Sequence, residues 1–225
     1  MNLRLWSILL ESFPKILMQG IKVTLPLTAV SFLLALLISV VVAMIQYADI
    51  PVLKKICRFY IWLIRGTPLL VQLYVVFYGL PSVGIVLDAW PAAVFVLAFN
   101  EGAYMAETVR GALESIPVGQ VEAGQCVGLN YLQIMWYIVL PQAFKVAFPS
   151  LSNSLIGLLK ETSLATTITI TEMIRQAQII NARYYETLGL YCEVALIYLL
   201  FCTVLTWLQN AAEKRMNTKG GRDDD

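Results

Sequence analysis

Of the four charged side chains in two otherwise apolar stretches, three stand near the middle of their stretch. Lys160 and Glu161 stand about halfway along residues 149–170, and Glu101 stands about halfway along residues 91–109. An ionisable group at the centre of a membrane helix costs about 2.5–3.5 kcal/mol or more, so such groups are usually paired or line a polar pathway. These residues therefore either bind a charged ligand within a membrane or form a structural ion pair, for example Lys160 with Glu101.

Other polar side chains follow the helical repeat near Glu101. Asn100, Tyr104 and Glu107 recur at i, i+4 and i+7, so they share one helix face. Glu107 and Arg110 are three residues apart, which is the spacing of a helical ion pair. We expect Glu107 and Arg110 to bind each other, while Asn100 and Tyr104 remain candidate ligand contacts.

The composition excludes several classes of protein. The 225 residues are 59% hydrophobic and only 14% charged, whereas soluble domains carry about 25% charged residues. The chain has no histidine, and its four cysteines are scattered without a CxxC pair, so neither a metal site nor Ser-His catalysis is expected. The net charge of +1 gives no general attraction to nucleic acid. We therefore predict an integral membrane protein in contact with lipid, and not an enzyme.

Runs without charge mark the membrane segments, because a crossing helix needs about 20 mostly apolar residues. Three runs are long enough, namely those between Lys22 and Asp49 (26 residues), Arg65 and Asp88 (22 residues), and Glu193 and Glu213 (19 residues). The interrupted stretches 91–109 and 149–170 add two spans. The charge-free run 123–144 is rich in Gln, Gly and Asn, so we assign it to a helix outside the bilayer. Five spans result.

Lysine and arginine counts predict the orientation. With the N-terminus outside, 10 of these residues lie on the inner side and 6 elsewhere. The C-terminus and the polar tail, residues 213–225, are then cytoplasmic. The connector 111–148 between the third and fourth spans is cytoplasmic too, and it is too long to be structureless in a compact protein.

This connector carries seven residues at a distinctive spacing, which are Glu122, Ala123, Gly124, Gly128, Ile138, Leu140 and Pro141. We expect a short helix near residues 118–123, a glycine bend at Gly128 and a second helix that ends at Pro141. Such a compact knob suits a groove on another protein. The alternative is an amphipathic helix that rests on the membrane surface.

The spacing resembles the cytoplasmic loop of ATP-binding-cassette (ABC) importer permeases, whose pattern is EAA, three residues, G, nine residues and I-x-LP. The departure is Gly124 in place of the second alanine, which keeps the residue small. Further stretches resemble the polar amino-acid permeases of the histidine, glutamine and cystine type, and they are RGTPLLVQ (65–72), NEGAYMAETVR (100–110) and KETSL (160–164). Residues 175–178 look closest to the cystine permeases.

The resemblance implies an all-α integral membrane protein of five transmembrane helices with a cytoplasmic coupling-helix loop, the type I ABC importer transmembrane domain. Residues 1–225 would form a single domain with a membrane core at about 16–212. Its partners would be a second permease subunit, identical or different, two cytoplasmic ATPase subunits and an extracellular or periplasmic solute-binding protein. The ATPase subunits would bind ATP and Mg²⁺, because this chain has no GxxxxGK[ST] loop and no cofactor is expected in it. The location would be the bacterial inner membrane.

Read with this resemblance, the buried charges predict a site for an amino acid. Lys160 would bind the substrate carboxylate with the hydroxyls of Thr162 and Ser163, and Glu161 or Glu101 would bind the ammonium. Neighbouring residues of a regular helix point about 100° apart. Lys160 and Glu161 can therefore meet one ligand only if the helix is distorted or the ligand lies between them. The alternative function is an ion-coupled secondary transporter, although no inverted repeat is visible.

Overall fold

The computed structural model describes residues 3–220, with side chains from 4 to 216, so the last five residues of the predicted tail lie outside the described part. Every regular element in these residues is helical. The α-helices are α1 (Leu3–Gln19), α2 (Leu25–Tyr47), α3 (Pro51–Arg65), α4 (Leu69–Tyr74), α5 (Ala89–Glu114), α6 (Val118–Cys126), α7 (Tyr131–Ile134), α8 (Leu140–Glu161), α9 (Met173–Tyr184) and α10 (Thr187–Gly220). Three π-helical segments (Gly20–Thr24, Val75–Gly79, Met135–Val139) and two 3₁₀ segments (Leu80–Val83, Thr162–Ile168) complete the described elements.

Each π-helical segment is followed directly by a Leu-Pro pair, and the prolines are Pro26, Pro81 and Pro141. The amide of each leucine donates a hydrogen bond to the carbonyl five residues earlier. A proline in a helix lacks an N–H group and its ring collides with the carbonyl four residues before it. In each segment the wider π turn closes at the leucine directly before the proline, and at Pro26 and Pro141 an α-helix continues past the proline.

The prediction that the second loop helix ends at Pro141 is therefore wrong. Residues Tyr131–Ile168 form one helical run of 38 residues. At 1.5 Å per residue this run is about 57 Å long, roughly twice the thickness of the hydrocarbon core. Part of it must extend beyond the bilayer, in keeping with the assignment of 123–144 to the outside of the membrane.

Three helical runs of the described residues are long and apolar enough to cross a membrane, and they are Arg4–Tyr47, Tyr131–Ile168 and Thr187–Met216. The helices on either side of the break at residues 66–68 give a fourth if they are counted together. Helix α5 has 26 residues, but Asn100 and Glu101 interrupt its apolar sequence. The membrane-spanning helical fold is thus present, while the count of five spans stays a prediction.

The chain divides into two compact units. The first comprises residues up to Leu33 together with Thr67–Ala98 and Leu155–Trp207. One core cluster of this unit is built around Leu27, Leu73, Leu97, Leu158 and Ile168, and another around Ile16, Met173 and Leu190. Ser12 of α1 also donates a hydrogen bond to Glu193 of α10 inside this unit.

The second unit comprises Leu34–Gly66, Phe99–Ser154 and the residues from Leu208 onward. Its core includes Val42, Cys57, Ile61, Ala103 and Ala106. Helices α6 and α7, with the π-helical segment after α7, belong to this unit and carry the predicted coupling loop. The single-domain assignment of the whole chain stays a prediction.

Candidate functional site

The predicted coupling loop contains a tightly bonded turn between α6 and α7. The amide of Leu129 donates to the carbonyl of Gly124 (3.0 Å), and the amide of Gly128 donates to the carbonyl of Gln125 (2.9 Å). These two bonds form a Schellman motif, which needs a left-handed residue after the helix. Gly128 supplies it with φ +82°. The predicted glycine bend is therefore present, and a side chain at Gly128 would be strained by the backbone alone.

The start of α7 is capped in both directions. The amide of Gln133 donates to Oδ1 of Asn130, and the amide of Asn130 donates to Oε1 of Gln133, both at 2.9 Å. This capping box satisfies amide groups at the helix start that the helix cannot satisfy itself. Together with the Schellman motif, it holds the turn between the two helices in one conformation.

Gly124 is the point at which α6 packs on the following helical run. A Cβ atom added to Gly124 would lie 2.9 Å from Cγ1 of Ile134 and 3.0 Å from Cδ1 of Ile138. Gly124 is buried, whereas the preceding Glu122 and Ala123 are exposed. The departure from alanine at position 124 thus permits close contact with Ile138, another residue of the predicted motif.

The charged residue of the predicted motif, Glu122, lies on the exposed surface of the loop. Glu122 forms no ion pair within the described residues. Pro141 is exposed and Leu140 is half-buried. Large apolar side chains that are also exposed on this loop are Val118, Val127, Tyr131, Leu132 and Trp136. An exposed mixture of apolar groups and a charge is typical of a protein interface.

Lys160 and Glu161 are the last two residues of α8. The helix changes directly after them from α to 3₁₀, over Thr162–Ile168. Lys160 is exposed, whereas Glu161 is half-buried. Oε2 of Glu161 is buried without a hydrogen-bond partner among the described residues. The helix is therefore distorted immediately after the pair, and one carboxylate oxygen has capacity for a donor.

The two hydroxyl residues that follow behave differently. Thr162 is fully buried and donates a hydrogen bond of 2.7 Å to the carbonyl of Leu159, while Ser163 is half-buried. Bonding to the backbone stabilises the change of helix type, because it satisfies a carbonyl that the α-helix no longer reaches. Ser163 is the more accessible of the two for a ligand.

The remaining predicted substrate residues lie on α5 in the second unit. Asn100 and Glu101 are buried, and Tyr104 is 42% exposed. The guanidinium of Arg65 stacks over the Tyr104 ring at 5.1 Å from the centroid. This cation–π contact joins α3 to α5 within the second unit, and the sequence carries no signal for it.

The expected pairing of Glu107 with Arg110 is confirmed. Nη2 of Arg110 donates to Oε2 of Glu107 at 2.9 Å, and Nη1 donates to both oxygens of Glu114 at 2.8 Å. Glu114 had not been predicted, although its i+4 spacing from Arg110 was a sufficient signal. No group of three His, Cys, Asp or Glu side chains within residues 4–216 could hold a metal ion.

A buried carboxylate that sequence reasoning missed joins three elements of the first unit. Oε1 of Glu172 accepts hydrogen bonds from Oγ1 of Thr166 (2.7 Å) and from the amide of Arg175 (3.0 Å). Oε2 accepts one from the Tyr198 hydroxyl (2.9 Å). Burial raises the pKa of the Glu172 carboxyl above its ordinary value, against the hydrogen bonds, which lower it. The only sequence signal was an acidic residue directly before the helical stretch Met173–Tyr184.

Comparisons with known proteins agree with this architecture. A family model described as "Binding-protein-dependent transport system inner membrane component" matches residues 38–218. The L-cystine transport system permease protein TcyB of Bacillus subtilis (strain 168) is 39% identical over 213 residues, 94% of this chain and 91% of that protein. The probable amino-acid ABC transporter permease protein YckA of the same organism is 36% identical over 206 residues, 92% and 91% of the two chains.

A solved structure shows the same fold. It is described as the crystal structure of an amino acid ABC transporter with histidines, and it superposes with a TM-score of 0.87 at 32% identity over 96% of this chain and 100% of that chain. The agreement of family model, sequence and fold extends over most of the chain. The chain belongs to the family of binding-protein-dependent transport system inner membrane components, with the all-helical fold of a type I ABC importer transmembrane domain.

Proposed function

We propose that this chain is the permease subunit of an ABC importer for a polar amino acid, with cystine as a candidate substrate. The observation that carries the proposal is the capped turn at Gly128, which presents Glu122 on a rigid exposed helix. A lever must transmit motion without bending, and the Schellman motif and capping box supply that stiffness. Family membership supports the same assignment.

The proposed coupling places the surface around Glu122 and Ala123 in a groove of a cytoplasmic ATPase subunit. Two such subunits would serve a dimer of permease chains, and they would bind ATP and Mg²⁺. Closure of the ATPases on ATP would draw the two loops together and open the pathway outward, where a solute-binding protein releases substrate. Hydrolysis would restore the inward-open state. This mechanism requires the N-terminus outside and the C-terminus in the cytoplasm.

The proposed substrate contacts start at the end of α8. Lys160 would bind the carboxylate with Ser163, and the unpartnered Oε2 of Glu161 would accept a hydrogen bond from the substrate ammonium. Thr162 would support the 3₁₀ segment through its bond to Leu159. Asn100, Glu101 and Tyr104, on α5 in the second unit, are proposed as further substrate contacts.

Cystine is favoured by the relative TcyB, which is described as an L-cystine permease protein. Cystine carries two ammonium and two carboxylate groups, so it needs more charged contacts than histidine or glutamine. Glu161 is proposed to accept one of the two ammonium groups.

The function is tested by purifying the chain from its native membrane, identifying the subunits that copurify, and measuring uptake in proteoliposomes. We expect an ATPase subunit to copurify and ATP to drive uptake, with unlabelled cystine competing more strongly than histidine or glutamine. Uptake that survives ATP depletion but collapses with an ion gradient would establish the secondary-transporter alternative. Stronger competition by another amino acid would remove cystine alone.

A further inference from the structure

The second unit contains a cavity of about 300 Å³ next to α3 that the proposed transport mechanism does not use. Its lining includes Lys54, Arg58 and Trp62 of α3 and Arg110 of α5. Lys160–Ser163 and Asn100–Tyr104 do not contribute to it. The cavity is therefore a separate candidate for ligand binding.

One cation of this cavity is left without a direct partner. Arg110 is bonded to Glu107 and Glu114, which are the carboxylates of the lining. Lys54 donates to Asp49. Arg58 is exposed and forms no hydrogen bond or ion pair within the part of the chain that the structure describes, although it lies within the electrostatic reach of Asp49. The arrangement thus presents to an anion a guanidinium that has no direct hydrogen-bond or ion-pair partner among the described residues.

The outer face of α3 is apolar and lies beside this guanidinium. Val52, Ile56, Phe59 and Leu63 recur at i, i+4, i+7 and i+11, so they form one stripe, and all four are exposed. Trp62 lies between the stripe and Arg58 on the helix surface and is 68% exposed. Cationic heads, an interfacial tryptophan and an exposed apolar stripe are the features of a helix at a membrane surface.

We propose that this cavity binds the phosphate of an anionic phospholipid, with Arg58 as the principal contact. An acyl chain of the same lipid would pack against the apolar stripe of α3. The segment 48–66 has four basic residues and one acidic residue, so its charge favours an anionic headgroup. Both lining carboxylates already accept hydrogen bonds from Arg110, so part of their negative charge is offset within the cavity. The inner leaflet follows from the orientation proposed above.

The test compares Arg58→Gln with Lys55→Gln, which removes the same charge from the same helix at a position outside the cavity lining. The purified complex is placed in phosphatidylcholine nanodiscs with added phosphatidylglycerol, at a salt concentration that screens diffuse attraction. Retained lipid is counted by native mass spectrometry. We expect Arg58→Gln to weaken retention of phosphatidylglycerol about tenfold, Lys55→Gln to remain near wild type, and Arg58→Lys to recover part of the loss.

Quenching of Trp62 gives a second measurement. Brominated phosphatidylglycerol should quench it more than brominated phosphatidylcholine, and the difference should vanish in Trp62→Phe. Equal losses in the two glutamine variants would indicate diffuse attraction only and overturn the site. Displacement of the lipid by inorganic phosphate would overturn the lipid assignment, as would cross-linking of Ile56→Cys to a second copy in place of lipid contact. Lipid retention needs no transport, so its outcome is independent of the proposed function.

Discussion

Gly124 shows how one residue sets the geometry of the coupling loop. A methyl group at this position would meet Ile134 and Ile138 at about 3 Å, which is closer than carbon atoms pack. The glycine lets α6 approach the following helical run closely, and an alanine here would require Ile134 and Ile138 to shift.

Replacing Gly124 with valine should separate the two loop helices. Overpacking of this kind costs about 1–3 kcal/mol, so we expect a lower thermal unfolding midpoint and weaker copurification of the ATPase subunit. Gly119→Val is the matched control, because it lies on the same helix with nothing within 4 Å of its added Cβ. Equal behaviour of the two variants would refute the packing role of Gly124.

Lys160 is the residue on which the substrate proposal depends most. Lys160→Met keeps the chain length and removes the charge. A charged hydrogen bond contributes about 1.5–3 kcal/mol, so the substrate concentration for half-maximal uptake should rise about tenfold or more. The control is Lys145→Met, an exposed lysine on the same helix. If half-maximal uptake is unchanged in Lys160→Met, Lys160 does not bind the carboxylate.

At the scale of helical elements, Glu172 joins the 3₁₀ segment, α9 and α10 in a single network. Its carboxylate caps α9 and accepts the Tyr198 and Thr166 hydroxyls. The 3₁₀ segment begins directly after Lys160 and Glu161, so Glu172 is a positioning residue for the proposed substrate contacts. It does not itself belong to the predicted ligand set.

Glu172→Ala should destabilise the fold, because it leaves the Thr166 and Tyr198 donors without an acceptor. Each unsatisfied buried donor costs about 1–3 kcal/mol, so the fall in thermal stability should exceed that of Tyr198→Phe, which removes only one donor. The double variant measures the coupling. If the two single effects simply add, Glu172 and Tyr198 do not act as a network.

The helices show what could be predicted from sequence and what could not. The all-helical fold and the glycine bend at Gly128 were correct expectations, and two of the three long charge-free runs lie in helices long and apolar enough to cross a membrane. The expectation that Pro141 ends a helix was wrong, because the π-helical segment before it widens the helix and α8 continues past the proline. The role of Glu172 was hidden for a different reason, since Thr166 and Tyr198 reach it only through tertiary packing.

For the whole molecule, the two compact units contain different parts of the proposed machinery. The capped coupling loop and its exposed Glu122 belong to the second unit, while Lys160, Glu161 and the Glu172 network belong to the first. The resemblance read from the sequence anticipated the family and the fold, because its motifs recur at several separate places between Arg65 and Gln178. Span number and orientation depend on the bilayer, so they stay predictions.

The central claim is that the predicted coupling loop around Glu122 lies in the cytosol and binds an ATPase subunit. Cys126 is exposed at the end of α6, so it reports on the loop without any substitution. A membrane-impermeant thiol reagent, with the modified site mapped by mass spectrometry, should label Cys126 in inside-out vesicles but not in intact cells. Adding the copurifying ATPase subunit should protect it. Labelling of Cys126 from outside intact cells, or no protection by the ATPase subunit, would contradict the account.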